Sequence, residues 1–536
     1  MRCNLVVAAA FAELLFATSA GATVYSAYKH SRWASRSPTH FDNRHVKRGN
    51  GKQAVYAGTF DQFIDHKNHS RGTFQQRYWW NADHYGGDGS PIVLVAPSII
   101  DGEAYASVTT NISLPGQIAQ EIHGAVVFLE HRFVGNSSAF DDYTTENLQY
   151  LNLDNILADL VHFAKTVTLD FDRNRTSTPS KAPWVLSGCG SAGAVVAWIN
   201  ALAPGTFWAY HSSSAPVQSI SNFTKYFDVV EEAMPRNCSA DLKTVMAHVD
   251  GILETGSLDE RLTLKDQFGF GNLTHNGDFA AAIASGIYSW EMHYLSDGYP
   301  KLHQMCDYIE NKWPNSTAAT PDANGVGLVK ALAGFIKWIR EEEIPGACDA
   351  DDDEEQVAGN STWCYDLRDT TLEHYTDTSA VNNIRLQWWM RCNEAFEFWM
   401  AGPGPNGGPS IVSKFLTVDA SRSQCGLLFP EVNGHTYGLA NGRSASTVNE
   451  RTGGSKLKTT PRILFVNGQL DPWRSAMVSA GDSEMQAPVW LIANATQGHD
   501  VYAEETSEIP HIAQAVREIV AQMKRWVNEF KAAPSS

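Results

Sequence analysis

Three short segments carry residue types that together could perform nucleophilic catalysis. The run Gly188-Cys-Gly-Ser-Ala-Gly193 is a turn of small residues that includes Ser191, and it stands between an apolar run and a helical stretch. Asp471 and His499 each follow a later apolar run. A hydroxyl nucleophile needs an imidazole to take its proton, a carboxylate to hold the imidazole in the correct tautomer and backbone N–H groups to bind the oxyanion. The segments therefore predict acyl transfer by a Ser–His–Asp triad.

Each segment by itself also has a purely structural interpretation. Many α/β proteins use a glycine-rich turn between a strand and a helix, an Asp-Pro pair can simply shape a turn, and a histidine can be a hydrogen-bonded core residue. The order along the chain, a nucleophile turn followed by an acid and then a histidine, is that of α/β-hydrolases. Together the segments predict this fold, although a scaffold does not guarantee the chemistry.

The elements around these segments support an α/β fold. Short β-rich apolar runs alternate with helical stretches, which predicts parallel strands with helices on both faces of a sheet. The predicted strands are 91–97, 125–130, 184–187, 461–467 and 488–493, and the predicted helices are 114–123, 151–166 and 509–530.

The middle of the chain has a different pattern. Amphipathic helical stretches replace the strands, at 241–254, 277–294, 326–343 and 384–399. We therefore predict a signal peptide at 1–22, a hydrolase domain in two parts at 50–216 and 455–530, and a helical cap inserted between them at 217–454.

The N-terminus and the charge indicate a secreted protein. A basic start, an apolar stretch too short to span a bilayer and a small-residue end predict a cleaved signal peptide and no membrane anchor. The net charge of −18 disfavours nucleic acid as a partner. Ten Asn-x-Ser/Thr sites predict glycosylation, and they begin at Asn68, Asn111, Asn136, Asn174, Asn222, Asn237, Asn272, Asn315, Asn360 and Asn494. A vacuolar or lysosome-like compartment is an alternative destination.

The cysteines predict disulfides in the cap. Six of them lie in the central stretch, and they are Cys238, Cys306, Cys348, Cys364, Cys392 and Cys425. Six cysteines allow 15 pairings, and we expect Cys348–Cys364 to be one pair, closing a loop around an acidic run. Cys189 remains as a buried thiol. The spacing of Cys and His predicts no metal site, and nothing indicates a cofactor.

Many motifs in order resemble a family of secreted and lysosomal serine peptidases, the prolylcarboxypeptidases with their dipeptidyl peptidase and acid prolyl endopeptidase relatives. The resemblance covers about 55–530. Its clearest marks are Phe74-Gln-Gln-Arg-Tyr-Trp-Trp80, Leu129-Glu-His-Arg132, Trp388-Trp-Met-Arg-Cys-Asn-Glu394 and Asn467-Gly-Gln-Leu-Asp-Pro-Trp-Arg474. It implies an α/β-hydrolase domain with a helical cap, peptide or protein substrates and cleavage next to proline at acidic pH.

The resemblance also implies roles for individual residues. Asp471 and His499 match the acid and the base, and Ser98 and Ala192 would donate backbone N–H groups to the oxyanion. Trp388, Trp389, Trp399 and Glu394 would lie at the substrate, with cap core as the alternative for the tryptophans.

The nucleophile turn departs from the family pattern Gly-Gly-Ser-Tyr-(Gly/Ser)-Gly. Without gaps, the nucleophile position falls on Gly190 and the family's tyrosine on Ser191. The alternative is that Ser191 is a displaced nucleophile, which needs one residue added before the turn and one removed from the helix. Removing a helical residue rotates everything beyond it by about 100°. We therefore favour a peptidase relative with impaired catalysis over an active peptidase that uses Ser191, His499 and Asp471.

Overall fold

The computed structural model describes residues 54–291, 299–313, 317, 319, 321–348, 361–380, 382–394, 396–404, 406–479, 487–503 and 507–531. The predicted signal peptide, the acidic run at 351–355 and the glycosylation sites Asn315 and Asn360 lie outside these residues.

Eight strands form one mixed sheet in the order β1-β2-β4-β3-β5-β6-β7-β8. The β1–β2 and β2–β4 pairs are antiparallel, and all the other neighbours are parallel. The strands are β1 Tyr56–Phe63, β2 Thr73–Asn81, β3 Ile92–Val95, β4 Ala125–Leu129, β5 Trp184–Cys189, β6 Ala209–Ser213, β7 Ile463–Gly468 and β8 Val489–Ile492.

The central strands are apolar along their whole length because helices cover both faces of the sheet. In β3, Ile92 and Leu94 join one core, and Val93 and Val95 join the other. The first core continues into the inserted helices. The second is closed by the helices 114–122 and 510–528, which pack against each other. This arrangement is the predicted α/β-hydrolase fold.

The helices outnumber the strands and lie mostly between β6 and β7. In chain order they are α1 Gly102–Tyr105, α2 Leu114–Ile122, α3 Thr145–Leu148, α4 Leu153–Thr166, α5 Ser191–Leu202, α6 Lys225–Ala233, α7 Arg236–Thr255, α8 Leu258–Gln267, α9 Asn276–Ile283, α10 Ser285–Tyr288, α11 Lys301–Ile309, α12 Leu328–Trp338, α13 Glu373–Thr376, α14 Asn383–Glu394, α15 Val418–Arg422, α16 Gln424–Leu428, α17 Ala445–Thr452 and α18 Pro510–Asn528.

Three disulfides join helices and loops of the inserted segment. The predicted pair Cys348–Cys364 is confirmed, and the other two are Cys238–Cys306 and Cys392–Cys425. Cys189 lies outside the disulfides, at the end of β5.

The strand β6 and the end of α14 are two of the points at which the structure differs from the sequence prediction. The strand β6 was not predicted, because Ala-Tyr-His-Ser-Ser is too polar to resemble a buried strand. The helix predicted over 384–399 ends at Glu394. Beyond it the chain is extended, since the carbonyls of Glu397 and Trp399 accept hydrogen bonds from the backbone of Ile220 and Phe223.

Within the described ranges, no helix is long and apolar enough to cross a membrane. The same residues contain no group of three or more His, Cys, Asp or Glu side chains arranged to hold a metal ion.

Candidate active site

The carboxyl ends of the parallel strands meet at one edge of the sheet, where α/β proteins bind their ligands. Ser98 follows β3, His131 follows β4 and Ser191 follows β5. Asp471 follows β7 and His499 follows β8. The fold therefore brings the residues predicted from three distant segments to the same edge.

Gly190 is the apex of the turn between β5 and α5. Its backbone has φ 59° and ψ −127°, while Ser191 is already the first residue of the helix. A positive φ is uncommon for residues other than glycine. The Gly190 N–H donates to Ser213 O (3.0 Å), and Gly190 O accepts from the Ala194 N–H (3.0 Å). The turn thus has the sharp strand-to-helix form that carries the nucleophile in α/β-hydrolases, with a glycine at its apex.

Two flanking glycines fix the register of this turn. A Cβ on Gly188 would lie 2.6 Å from Ala192 O, and one on Gly193 would lie 2.4 Å from Ser213 O. Both distances are below van der Waals contact with backbone atoms that cannot move aside. Placing Ser191 at the apex by adding one residue before the turn would put Cys189 where Gly188 is required. The close packing of the turn therefore opposes the displaced register.

Asp471 is completely buried at the start of a 3₁₀ turn, Pro472–Ala476. Its Oδ1 accepts a hydrogen bond from the Trp473 N–H at 2.9 Å. Burial raises the pKa of Asp471 to about 7, and hydrogen bonds from the Trp473 N–H and the Ser214 hydroxyl act in the opposite direction. This carboxyl group is consequently protonated over most of the acidic pH range.

His499 lies on a loop that touches the nucleophile turn. A Cβ on the preceding Gly498 would lie 2.9 Å from the Cys189 Sγ, and the Gly498 N–H donates to the Ser214 Oγ (3.0 Å). The His499 side chain is 4% exposed. These contacts place the loop of the predicted base against Cys189, the residue before Gly190, although the two segments are far apart in the sequence.

Thr496 contacts both ring nitrogens of His499. The Thr496 N–H donates to Nδ1 (3.2 Å), and Oγ1 lies 2.6 Å from Nε2. A neutral imidazole whose Nδ1 accepts a hydrogen bond carries its proton on Nε2, so Nε2 donates to the threonine hydroxyl. A triad needs the other tautomer, with the proton on Nδ1 and an accepting Nε2. The hydrogen bonds to Thr496 therefore favour the tautomer that cannot act as the base.

A second Ser–His–Asp chain, absent from the sequence-based prediction, lies within the core. Ser187 Oγ is 3.0 Å from His211 Nδ1, and His211 Nε2 is 3.0 Å from Asp500 Oδ2. The Ser213 hydroxyl donates to Asp500 Oδ1 (2.6 Å). Ser187, His211 and Asp500 are at most 2% exposed, so this buried triad is a structural network that ties β5 and β6 to the loop of His499.

A cavity of about 80 Å³ lies between the sheet edge and the inserted helices. Loops after the strands contribute Pro97, Ser98, Ile99, His131 and Pro216. Helices α4, α5 and α14 and the segment after α14 contribute Leu153, Ile156, Ser191, Ala194, Val195, Trp198, Gln387, Met390, Arg391, Phe396 and Phe398. Both Ser191 and Ser98 therefore face the same space.

The predicted oxyanion donors occupy different surroundings. Ser98 lines the cavity. Ala192 is buried in the first turn of α5, and it is not among the described residues that line the cavity. If Gly190 is the apex, the backbone N–H that follows the nucleophile position belongs to Ser191.

The four residues predicted to contact substrate lie in the core instead of the cavity wall. Trp388, Trp389 and Trp399 are at most 1% exposed, and the Trp389 indole donates to Leu151 O (2.8 Å). Glu394 is buried and pairs with Arg443 (3.2 Å). The physical reason is the rotation of α14, which turns Gln387, Met390 and Arg391 towards the cavity. No pattern in the sequence indicated this choice of face, because the helix is buried almost all round.

Comparison with known proteins agrees with this geometry. The family model "Serine carboxypeptidase S28" matches residues 59–520. The chain belongs to the S28 family. It is 36% identical over 481 residues to "Serine protease vicPb" of Bipolaris victoriae, covering 88% of this chain and 89% of that protein.

Other similarities of this S28 protein are more distant. It is 24% identical to the "Probable extracellular serine carboxypeptidase" of Arthroderma benhamiae, covering 92% of this chain and 70% of that protein. Among solved structures it is similar to a hyperthermophilic esterase from Pyrobaculum calidifontis, at 10% identity and a TM-score of 0.33, covering 94% and 93% of the two chains. Membership of a peptidase family implies peptides or proteins as ligands of the S28 protein.

Proposed function

We propose that this S28 protein binds peptides in its cleft but does not cleave them by the serine mechanism. The observation that carries this proposal is the backbone of Gly190, which has φ 59° and ψ −127° at the apex of the nucleophile turn. A glycine has no hydroxyl to activate. Loss of the nucleophile in a triad lowers turnover on the order of 10⁶-fold, so the acyl-enzyme route is closed.

The surroundings of the two remaining triad residues support this proposal. Thr496 favours the Nε2-protonated tautomer of His499, and burial keeps Asp471 protonated at acidic pH. A protonated carboxyl group stabilises an imidazolium less than a carboxylate does. His499 and Asp471 are thus poorly poised for proton transfer.

We further propose that the ligands contain proline and that the protein is a secreted glycoprotein. The resemblance to prolyl peptidases supports the first point, and the small size of the cavity, about 80 Å³, is compatible with a proline ring. The sequon asparagines support the second point. Seven of the eight described ones are exposed, while Asn237 is half-buried, and the exposed ones are Asn68, Asn111, Asn136, Asn174, Asn222, Asn272 and Asn494.

An active serine peptidase that uses Ser191 is the alternative. The observation that favours it is the position of Ser191 in the cavity wall, together with Ser98. In this case Ser191 would attack, His499 would accept the proton and Asp471 would orient the imidazole. Ser191 is nevertheless one residue beyond the apex, where a displacement of about 1 Å can lower the rate about 10²-fold.

Labelling with a fluorophosphonate probe separates the two functions. The purified glycoprotein and its Ser191→Ala variant would be treated with the probe, digested and sequenced by mass spectrometry. We expect neither protein to be labelled at the turn, and we expect no hydrolysis of prolyl peptides between pH 3 and 7. Label on Ser191 that disappears in Ser191→Ala would establish the active peptidase instead.

A further inference from the structure

The strand β8 forms one of the two edges of the sheet. On its inner side, the carbonyls of Pro488 and Ile492 accept hydrogen bonds from the backbone of β7 and the residue that follows it. Because the backbone groups of successive residues alternate between the two sides of a strand, those of Leu491 point away from β7. The Leu491 side chain is 56% exposed. The edge thus offers both a backbone and an apolar side chain.

The two edges of the sheet differ in their side chains. The other edge strand, β1, carries Thr59 and Asp61 as exposed polar residues. Charged side chains on an edge strand oppose pairing with a second chain. The sequence of β8 is Val-Trp-Leu-Ile, which contains no charged side chain. Of the two edges, β8 is therefore the one better suited to pair with another strand.

A groove of about 480 Å³ lies between β8 and α18. Its strand side is the segment 489–493, and its helix side consists of His511, Gln514, Ala515 and Glu518. These four residues are spaced three, four and seven positions from the first, so they form one stripe along the helix. Three of them are exposed, and the small Ala515 in the middle is half-buried. The stripe therefore leaves room for a second helix at its centre.

The lining of this groove is complementary to itself. Leu491 is the middle residue of the strand segment, and the midpoint of the helix stripe lies between Gln514 and Ala515. A two-fold axis through the groove, perpendicular to the sheet, makes both β8 and α18 antiparallel to their copies in a second chain. Residues at equal distances from such an axis face each other. His511 then faces Glu518 of the partner subunit, and this pair of imidazole and carboxylate occurs twice.

The same axis gives the strand edge its partners. Leu491 lies opposite its own copy, and Val489 lies opposite Ala493 of the partner subunit. The backbone groups that point away from β7 then form an antiparallel ladder, and the two exposed leucines pack against each other across the axis. The His–Glu pairs fix the register, because a shifted helix would place like groups together.

We propose that a second copy of this chain binds along the β8 edge, in a two-fold dimer with antiparallel β8 strands and two His511–Glu518 pairs. None of the described residues that line this groove also lines the cavity beside Gly190, so the dimer is independent of peptide binding. The sequon at Asn494, two residues beyond β8, offers the alternative occupant, an N-glycan that covers the edge. The experiment separates the two occupants.

Light scattering after size-exclusion chromatography, with analytical ultracentrifugation of the full glycoprotein at micromolar concentrations, tests the proposal. We expect the mass of two chains. Leu491→Lys should weaken dimerisation at least about tenfold, because two ammonium groups would meet across the axis. Leu258→Lys is the matched control, since Leu258 is 72% exposed on a different helix, α8. It should leave the dissociation constant of the dimer unchanged.

Exchange of charges between subunits tests the predicted pairs. His511→Glu makes two carboxylates face each other, and Glu518→Lys makes an ammonium group face an imidazole. Each variant alone should dimerise at least about tenfold more weakly than the unmodified protein. A mixture of the two variants should form heterodimers with nearly the original affinity, because the new carboxylate of one variant then faces the new ammonium group of the other. A purely intrachain effect of either substitution would not be corrected by mixing.

Several results would overturn the inference. A glycoprotein that stays monomeric at micromolar concentrations, Leu491→Lys that dimerises like the unmodified protein, or a mixture of the two charge variants that does not recover affinity would each do so. The Asn494→Gln variant identifies the alternative occupant. If the glycoprotein is monomeric and only Asn494→Gln dimerises, the edge is covered by the glycan instead of a second copy.

Discussion

The molecule contains two Ser–His–Asp arrangements, and only one of them is complete. In the buried triad, His211 bonds Ser187 on one side and Asp500 on the other, each at 3.0 Å. At the sheet edge, His499 bonds Thr496, and the apex of the nucleophile turn is Gly190. The complete chain lies in the core, and the residues at the sheet edge lack a hydroxyl at the apex of the turn. Hydrogen-bond geometry alone therefore does not identify a catalytic site, because catalysis also requires the nucleophile to face a cavity.

The largest effect is expected from a variant that creates a nucleophile at the apex of the turn. Gly190→Ser should introduce fluorophosphonate labelling at residue 190 and raise hydrolysis of prolyl peptides by on the order of 10³-fold. This gain is below the factor of about 10⁶ that a nucleophile and its base contribute together, because the hydrogen bonds to Thr496 favour the unproductive tautomer of His499. Labelling and peptide hydrolysis at pH 5 and pH 7 measure the effect. The double variant Gly190→Ser/His499→Gln is the control, and it should lose the gained activity.

If Gly190→Ser has the native circular dichroism spectrum but is not labelled by the probe, this expectation is contradicted. A serine at φ 59° carries backbone strain of about 1–3 kcal/mol. The variant should therefore be slightly less stable than the parent protein even while it gains activity, and a thermal unfolding scan measures that difference.

The buried triad should affect stability, whereas the nucleophile turn at the sheet edge should affect activity. Asp500→Ala leaves His211 and the Ser213 hydroxyl buried without their partner, and should lower the free energy of unfolding by about 3–5 kcal/mol. Chemical denaturation measures the loss. Asp500→Asn, which keeps the size and one acceptor oxygen, should lose less, and a loss below about 1 kcal/mol in Asp500→Ala would refute the structural role.

The pH dependence of stability should report on the buried carboxyl group of Asp471. Because the pKa of Asp471 is raised from 3.8 to about 7 on folding, its neutral form is favoured in the folded state. The contribution of Asp471 to the free energy of unfolding is fully present below about pH 4 and is lost as the pH rises to about 7. The loss is at most about 4 kcal/mol. Asp471→Asn should remove this decline, as measured by unfolding at pH 5 and pH 8. An unchanged slope would contradict burial as the cause.

The smallest expected effect is the difference in the free energy of unfolding between variants of two serines. Ser187→Ala removes a buried hydroxyl that bonds His211 and should lower the free energy of unfolding by about 1 kcal/mol. Ser191→Ala, at the cavity wall, should change it by less than about 0.5 kcal/mol. Equal losses in the two variants would remove the distinction between a serine in the core and a half-buried serine at the cavity wall.

Much of the scaffold could be predicted because its signals are local. Apolar runs such as 91–97 indicate buried strands, and the spacing of Cys348 and Cys364 suggested the disulfide that the structure contains. The strand Ala209–Ser213 escaped prediction because its polar residues find their partners far along the chain. Asp500, for example, is 289 residues from His211. The sequence pattern could not show which face of α14 lines the cavity either, since the helix is buried almost all round.

The sequence by itself determined that a glycine aligns with the nucleophile and that an acid and a histidine follow in the hydrolase order. These facts depend only on residue identity and order. Only the tertiary structure decided which residue is the apex. Gly190 has φ 59° in a turn whose flanking glycines leave no room for a side chain, since Gly188 packs against Ala192 and Gly193 packs against Ser213 of β6. Long-range contacts of the same kind gave the completed hydrogen bonds to His211 and directed Arg391 into the cavity.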